Sequence, residues 1–264
     1  MSDTTGGADP TTVPDVDEAQ VIVDDVSKVY DGESGPVRAL DAVSFTAEEG
    51  GFVSIVGPSG SGKSTCFRII AGLEAATGGE VRVDGSPVRE PGPDRGMVFQ
   101  DDALFPWRTA AGNVAYGLEE VGPPSGTTKR ERVDYCLSLV GLADKTDAYP
   151  RELSGGQRQR VGIARALAVD PPILLMDEPF ASVDARTKTT LHAELLDIWG
   201  ETQKTVLFVT HDIDEAVYLS DRVIVLSDGP GTVLDDISID LARPRDRTAV
   251  DFTDAKAEIL QYFE

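Results

Sequence analysis

The stretch Gly57-Pro58-Ser59-Gly60-Ser61-Gly62-Lys63-Ser64-Thr65 constrains this chain more than any other. It fits G-x-x-x-x-G-K-[ST], with Gly57, Gly62, Lys63 and Ser64 in the fixed places. The run before it, Phe52 to Val56, is β-branched and mostly apolar; the run after it, Cys66 to Ala71, is apolar at helical spacing. A glycine-rich loop between a strand and a helix can turn successive N–H groups toward an anion, and the helix start adds partial positive charge. Lys63 is placed to reach β- and γ-phosphates, and the Ser64 hydroxyl to ligate Mg²⁺. An incidental Gly/Ser turn would require neither flank.

The periodicity around this loop predicts an α/β fold. Strands are expected over Val21–Tyr30 and Val37–Ala47, joined by a turn at Asp31–Pro36, and again over Gly78–Val83 and Arg95–Phe99. From about Asp101 to Val169 the pattern turns helical, broken at Gly122-Pro123-Pro124-Ser125-Gly126, which predicts a lobe inserted between two sheet strands. Ile173–Met176 is a continuous apolar run, as in a buried parallel strand. A helix over Thr187–Trp199, a strand over Thr205–Val209, a helix over Ile213–Leu219 and strands over Arg222–Leu226 and Gly231–Ile239 follow, then a last helix over Ala255–Phe263. Such alternation implies a mostly parallel sheet covered on both faces. Residues 1–19, rich in Asp, Thr, Gly and Pro, read as a disordered acidic leader, residues 20–245 as the main domain and residues 246–264 as a helical tail.

Acidic residues outnumber basic ones 46 to 24, for a net charge of −22. That balance disfavours nucleic-acid backbones and anionic lipid, so work at a membrane would need a protein partner. Because the acid is spread along the chain, it suits a salty cytoplasm, where counterions screen self-repulsion. No apolar run is long enough to span a bilayer, and no basic-then-apolar start suggests a signal peptide, so a cytoplasmic protein is expected. Cys66 and Cys136 both fall in apolar helical patterns without metal-ligand spacing, which predicts buried, reduced thiols.

Three further strand ends carry candidate chemistry. Ile173–Met176 runs into Asp177 and Glu178, at the edge where open α/β sheets bind ligands. Asp177 suits Mg²⁺, and Glu178 suits the orientation and deprotonation of water; the plain alternative is a solvated acidic turn before Pro179. His211 follows another apolar strand and could bond a γ-phosphate or be merely structural. Gln100 ends a third strand, as a sensor of Mg²⁺ and water or as a polar terminus. Leu153-Ser154-Gly155-Gly156-Gln157 opens a helix with Ser154 as N-cap and bare N–H groups behind it. This is either an ordinary capped helix or a second anion site, and with one phosphate loop per chain its phosphate would belong to a second copy.

In this order the phosphate loop, Gln100, L-S-G-G-Q, I-L-L-M-D-E-P, Asp184 and His211 resemble the ATPase subunits of ABC transporters, over about Val21 to Arg245. Pro91–Gln100, Ala103–Trp107, Arg160–Pro171 and Thr210–Val217 are similar to the nitrate/sulfonate/taurine importer group. The resemblance implies a P-loop NTPase (RecA-like) fold: a mostly parallel sheet core, an N-terminal antiparallel β region and an inserted α-helical subdomain at about residues 101–169. It implies ATP and Mg²⁺ as ligands, with Gly57 to Thr65 around the phosphates, Tyr30 stacked on adenine, and Ser64, Gln100 and Asp177 at the metal. Lys63, Gln100, Glu178 and His211 would act in hydrolysis, and Ser154, Gly155, Gly156 and Gln157 would cap the γ-phosphate held by the opposite protomer. Asp184 would lie at the dimer seam, although Ser182-Val183-Asp184 stands where the family commonly has A-L-D. Cys66 stands where an aliphatic residue is common, and residues 1–19 and Gly122–Thr127 have no clear counterpart. The implied partners are a second copy, two transmembrane permease subunits and, indirectly, an extracytoplasmic solute-binding protein. The implied place is the cytoplasmic face of the cell membrane, peripherally. Leu104, Phe105 and Trp107 would either pack the helical lobe or line a groove for the permease. The rivals are an ABC ATPase acting on nucleic acid or ribosomes, against which the acidic balance and single cassette argue, and a nucleotide-binding regulator without turnover, against which Glu178 and His211 argue.

Overall fold

The computed structural model describes residues 19–32, 35–101, 103–181 and 183–263. The expected leader lies outside these residues except for Ala19, which opens the first strand. β1 (Ala19–Gly32) and β2 (Gly35–Glu48) pair antiparallel from Ala19↔Glu48 to Gly32↔Gly35, so the hairpin runs further than the expected strands. β3 (Phe52–Val56) is wholly buried and feeds the phosphate loop, which opens α1 (Lys63–Ile70). β4 (Gly78–Val83) and the short β5 (Ser86–Pro87) complete the first sheet, ordered β2-β1-β4-β5. β5 went unforeseen because Pro87 within so short a run reads as loop.

β6 (Arg95–Val98) leads into α2 (Ala110–Val114), α3 (Tyr116–Val121), α4 (Lys129–Leu139) and α5 (Gly155–Ala168), with single 3-10 turns at Ala143–Lys145 and Pro150–Glu152. β7 (Ile173–Asp177), α6 (Ala185–Thr202), β8 (Thr205–Val209), α7 (Ile213–Leu219), β9 (Arg222–Leu226), β10 (Val233–Ser238) and α8 (Val250–Leu260) follow. The second sheet is ordered β10-β9-β3-β8-β7-β6, parallel except for β10 on its edge. β3 therefore lies between β9 and β8, and the phosphate loop emerges beside the ends of β8 and β7.

Side-chain alternation divides the sheet between two cores. Phe52, Val206 and Phe208 face one side with Leu137, Leu167 and Phe180; Val53, Ile55 and Leu207 face the other with Phe67, Val21 and Val43. The helical segment shares the first core: Val114, Leu118 and Val133 pack in one cluster with Val98 and Met176. A third cluster joins Val56, Val217, Val225 and Ile237 to Phe252 and Ile259 of α8. The last helix is thus core-forming, and it starts at Val250 rather than Ala255; its first turn, Asp251 to Asp254, is polar enough to mask the helical period. Just before it, Arg245 is buried and donates to four carbonyls, those of Val217, Ser220, Ile239 and Leu241.

Candidate active site

Backbone geometry builds the anion cradle. Gly60 and Gly62 take φ values of 87° and 85°, which favour glycine. A Cβ on Gly62 would stand 2.5 Å from Leu40 Cδ2 and 2.7 Å from the Ala39 carbonyl, so β2 can press against the loop only because that side chain is missing. Lys63 Nζ folds back to donate to the carbonyls of Gly57 (2.8 Å) and Pro58 (2.9 Å) and lies 3.3 Å from Ser61 Oγ. Burial pulls the Lys63 ammonium below its ordinary pKa, and the negative charges of Glu178 and Asp177 partly oppose that. A cavity of about 420 Å³ opens above, lined by Ser59, Gly60, Gly62, Lys63, Ser64 and Thr65 together with Ala39, Glu178 and His211.

The acidic strand end faces the helix start. Ser64 Oγ lies 3.4 Å from Asp177 Oδ1. Burial raises the Asp177 carboxyl above its ordinary pKa, and the neighbouring Glu178 charge raises it further, against the pull of Ser64, Arg68 and Lys63. A cation at this position would offset both. Among the described residues no group of three or more His, Cys, Asp or Glu forms a cage. Two oxygen donors and a phosphate cradle instead fit Mg²⁺, which keeps waters and takes phosphate oxygens. Glu178 sits in the left-handed region at φ 43°, with its N–H donating to the Val209 carbonyl at 2.9 Å. That turn directs its carboxylate to His211, whose Nδ1 is 3.0 Å from Glu178 Oε2.

Other sequence candidates stand outside this cavity. Gln100 is exposed, two residues past the end of β6. The Tyr30 hydroxyl donates to Glu74 Oε2 at 2.9 Å and is 3.2 Å from Thr65 Oγ1, while Lys28 Nζ lies 5.0 Å from its ring centre. Ser154 and Gly155 are exposed at the start of α5, where Ser154 and Gln157 form a reciprocal capping box. Gly156 is buried; a Cβ there would stand 2.9 Å from Thr187 Cγ2, so glycine lets α6 approach. Asp184 caps α6 by accepting from the Thr187 N–H at 3.1 Å, a bond that holds its carboxyl below the ordinary range. This cap also explains why α6 begins at Ala185, two residues before the expected start.

Two parts of the site carry no catalytic motif in the sequence. Ala39 lines the cavity from β2, with no motif to mark it. Gly231, read as a strand start, lies against the phosphate loop: a Cβ there would meet the Ser61 carbonyl at 2.0 Å, and its backbone pairs with Ala39 and Asp41. The glycines of Asp228-Gly229-Pro230-Gly231 were the available signal. On the helical lobe Leu104 packs against the first core, whereas Trp107 is 71% exposed. Phe105 lies between them, its ring centre 5.5 Å from Trp107 and 4.6 Å from Tyr116. Buried Asn113 fixes this turn by accepting from the Phe105 N–H and donating to the Phe105 and Arg108 carbonyls.

The ABC transporter family profile matches residues 40–181. The chain is 48% identical to a nitrate import ATP-binding protein of Synechocystis, over 86% of each chain. It is 41% identical to an aliphatic sulfonates import ATP-binding protein of Bacillus thuringiensis, covering 92% of this chain and 96% of that one. Among solved structures, it is similar to a dimeric ATP-binding cassette in a post-hydrolysis state with ADP and Pi, at TM-score 0.73 and 37% identity, covering 84% of this chain and 100% of the other. Among the described residues no helix is long and apolar enough to cross a membrane.

Proposed function

The chain belongs to the ABC transporter family of ATPases, and from that premise we propose that it energises import of a small solute of the nitrate or sulfonate type. The observation that carries this is the convergence of Lys63, Ser64, Glu178 and His211 on one cavity, with Asp177 behind Ser64. The loop N–H groups and Lys63 hold the phosphates of ATP. Glu178, within reach of the space above the loop, orients a water and takes its proton. His211 fixes the Glu178 carboxylate and presents an exposed imidazole edge to the γ-phosphate. Mg²⁺, when bound at Ser64 and Asp177, neutralises charge on the phosphate oxygens.

The Ser154 helix start stands away from its own chain's cavity, which supports a head-to-tail pair in which each copy caps the other's γ-phosphate. The related cassette is dimeric, which supports pairing of two copies. Tyr30 would stack on adenine, Asp184 would lie at the seam, and Gln100 would swing to the metal on closure. Closure and reopening of the pair would drive two permease subunits, which hold the protein at the cytoplasmic face of the membrane and receive solute from an extracytoplasmic binding protein. The −22 charge suits a salty interior, and added KCl should raise the thermal midpoint. Uptake tests the proposal. Vesicles carrying a permease that assembles with this chain, supplied with its solute-binding protein, should accumulate nitrate or a sulfonate with ATP, and not with Lys63→Ala. Equal uptake with that variant would overturn it.

A further inference from the structure

A buried polar chain leads from Thr210, the residue before His211, to groups that do not line the cavity. Thr210 is buried, and its hydroxyl donates to Glu215 Oε2 at 2.6 Å while accepting from the Asp212 N–H at 3.0 Å. Glu215, at 3% exposure, also meets Lys188 Nζ through Oε1 at 2.7 Å. His192 Nε2 lies 3.5 Å from the same oxygen. The other imidazole nitrogen, Nδ1, is 2.6 Å from a guanidinium nitrogen of Arg247. A guanidinium can only donate, so Nδ1 accepts and the His192 proton sits on Nε2, facing Glu215. The ring itself is held by Phe180, 5.0 Å away in an edge-on arrangement.

We infer that Glu215 is a positioning residue for hydrolysis: through the Thr210 hydroxyl it fixes the turn that aims His211 at Glu178. This rests on the assignment of Glu178 and His211 made above. Both ends of the turn depend on the same hydroxyl, because Thr210 Oγ1 bonds Glu215 on one side and the Asp212 backbone on the other. His211 lies between Thr210 and Asp212, and its ring is 61% exposed, so solvent-side contacts do little to orient it. Only a carboxylate can accept from Thr210 and Lys188 at once. An amide at position 215 must turn its NH₂ toward one of them: toward Lys188, two donors clash; toward Thr210, the hydroxyl loses its acceptor.

The test compares steady-state ATP hydrolysis by the full chain in Thr210→Val, Thr210→Ser, Glu215→Gln, His211→Ala and the double variant Thr210→Val/His211→Ala, with thermal midpoints measured for each. Thr210→Val keeps the shape and should lower kcat about tenfold, the value of one lost hydrogen bond, with KM for ATP within about twofold. Thr210→Ser, which keeps the hydroxyl, should restore the rate. Glu215→Gln should resemble Thr210→Val. Since the effect passes through His211, the double variant should be no slower than His211→Ala. A slow His211→Ala with a wild-type rate in Thr210→Val, or losses that multiply in the double variant, would overturn the inference alone. A wild-type rate in His211→Ala would overturn the catalytic assignment and the inference together. If Glu215→Gln fails to fold, the two Thr210 variants and the cycle still decide it.

Discussion

Glu178 and His211 lie 33 positions apart in sequence and meet at 3.0 Å, Oε2 to Nδ1, at the mouth of the phosphate loop. Two strand ends make the meeting: Asp177 of β7 pairs in register with Val209 of β8, and each strand then turns its next functional side chain toward the cavity.

Glu178→Gln should therefore keep ATP and lose turnover. The amide preserves the shape yet cannot take a proton, so the fall in kcat should be about 10² to 10⁴-fold. Nucleotide binding by fluorescence titration should stay near wild type, and gel filtration with ATP should show the dimer accumulating. Phosphate release at the wild-type rate would remove Glu178 from its role.

Ser154→Arg should block hydrolysis while sparing nucleotide binding. Ser154 is exposed and contributes nothing to its own chain's cavity, so the bulk and charge fall where a second copy's γ-phosphate is expected. The loss of the capping box costs about 1 kcal/mol, too little to unfold the chain. Hydrolysis by a proven monomer would refute the shared site.

At Trp107 the two sequence readings part. Half-buried Leu104 packs against the core, whereas the exposed Trp107 ring does little for folding. Trp107→Ala should shift stability by no more than about 0.5 kcal/mol and leave ATP binding intact, while weakening association with the permease in a pull-down. Phe105→Ala, which also removes packing on Tyr116, should lower the thermal midpoint more. Unchanged assembly in both variants would place the docking surface elsewhere on the lobe.

Acid should loosen the fold through Glu215. Burial alone would raise its pKa, but the nearby His192 and Lys188 groups and the Thr210 hydroxyl bond overcome that and bring it from 4.5 down to about 2. A folded-state pKa below the unfolded one gives stability that is complete above about 4.5 and is lost as pH falls toward 2, about 3 kcal/mol in all. The gap in thermal midpoint between wild type and Glu215→Gln should accordingly narrow from pH 7 to about pH 3. A constant gap would mean that the carboxylate is not the source.

The sequence made the chemistry legible wherever a local pattern and a local conformation coincide. Gly57 to Thr65 and Ile173 to Glu178 each carry their strand, turn and site residue within a few positions. What it hid was contact between distant segments. The glycines around Pro230 mark a turn but not that Gly231 seats the Ser61 carbonyl, and nothing about His192 announces a buried partner at Glu215. Such pairings are set by how the sheet brings strand ends together, which periodicity does not encode.

The placement of α8 bears on how this chain can vary. Phe252 and Ile259 pack in one cluster with Val56, the last residue before the phosphate loop begins. Residues after 245 are therefore held to the strand that feeds the phosphate loop rather than apart from it. A recombinant that took its final helix from a relative would have to carry β10 and the facing side chains of α7 along, and new functions grafted at this end belong after the helix, not in its place.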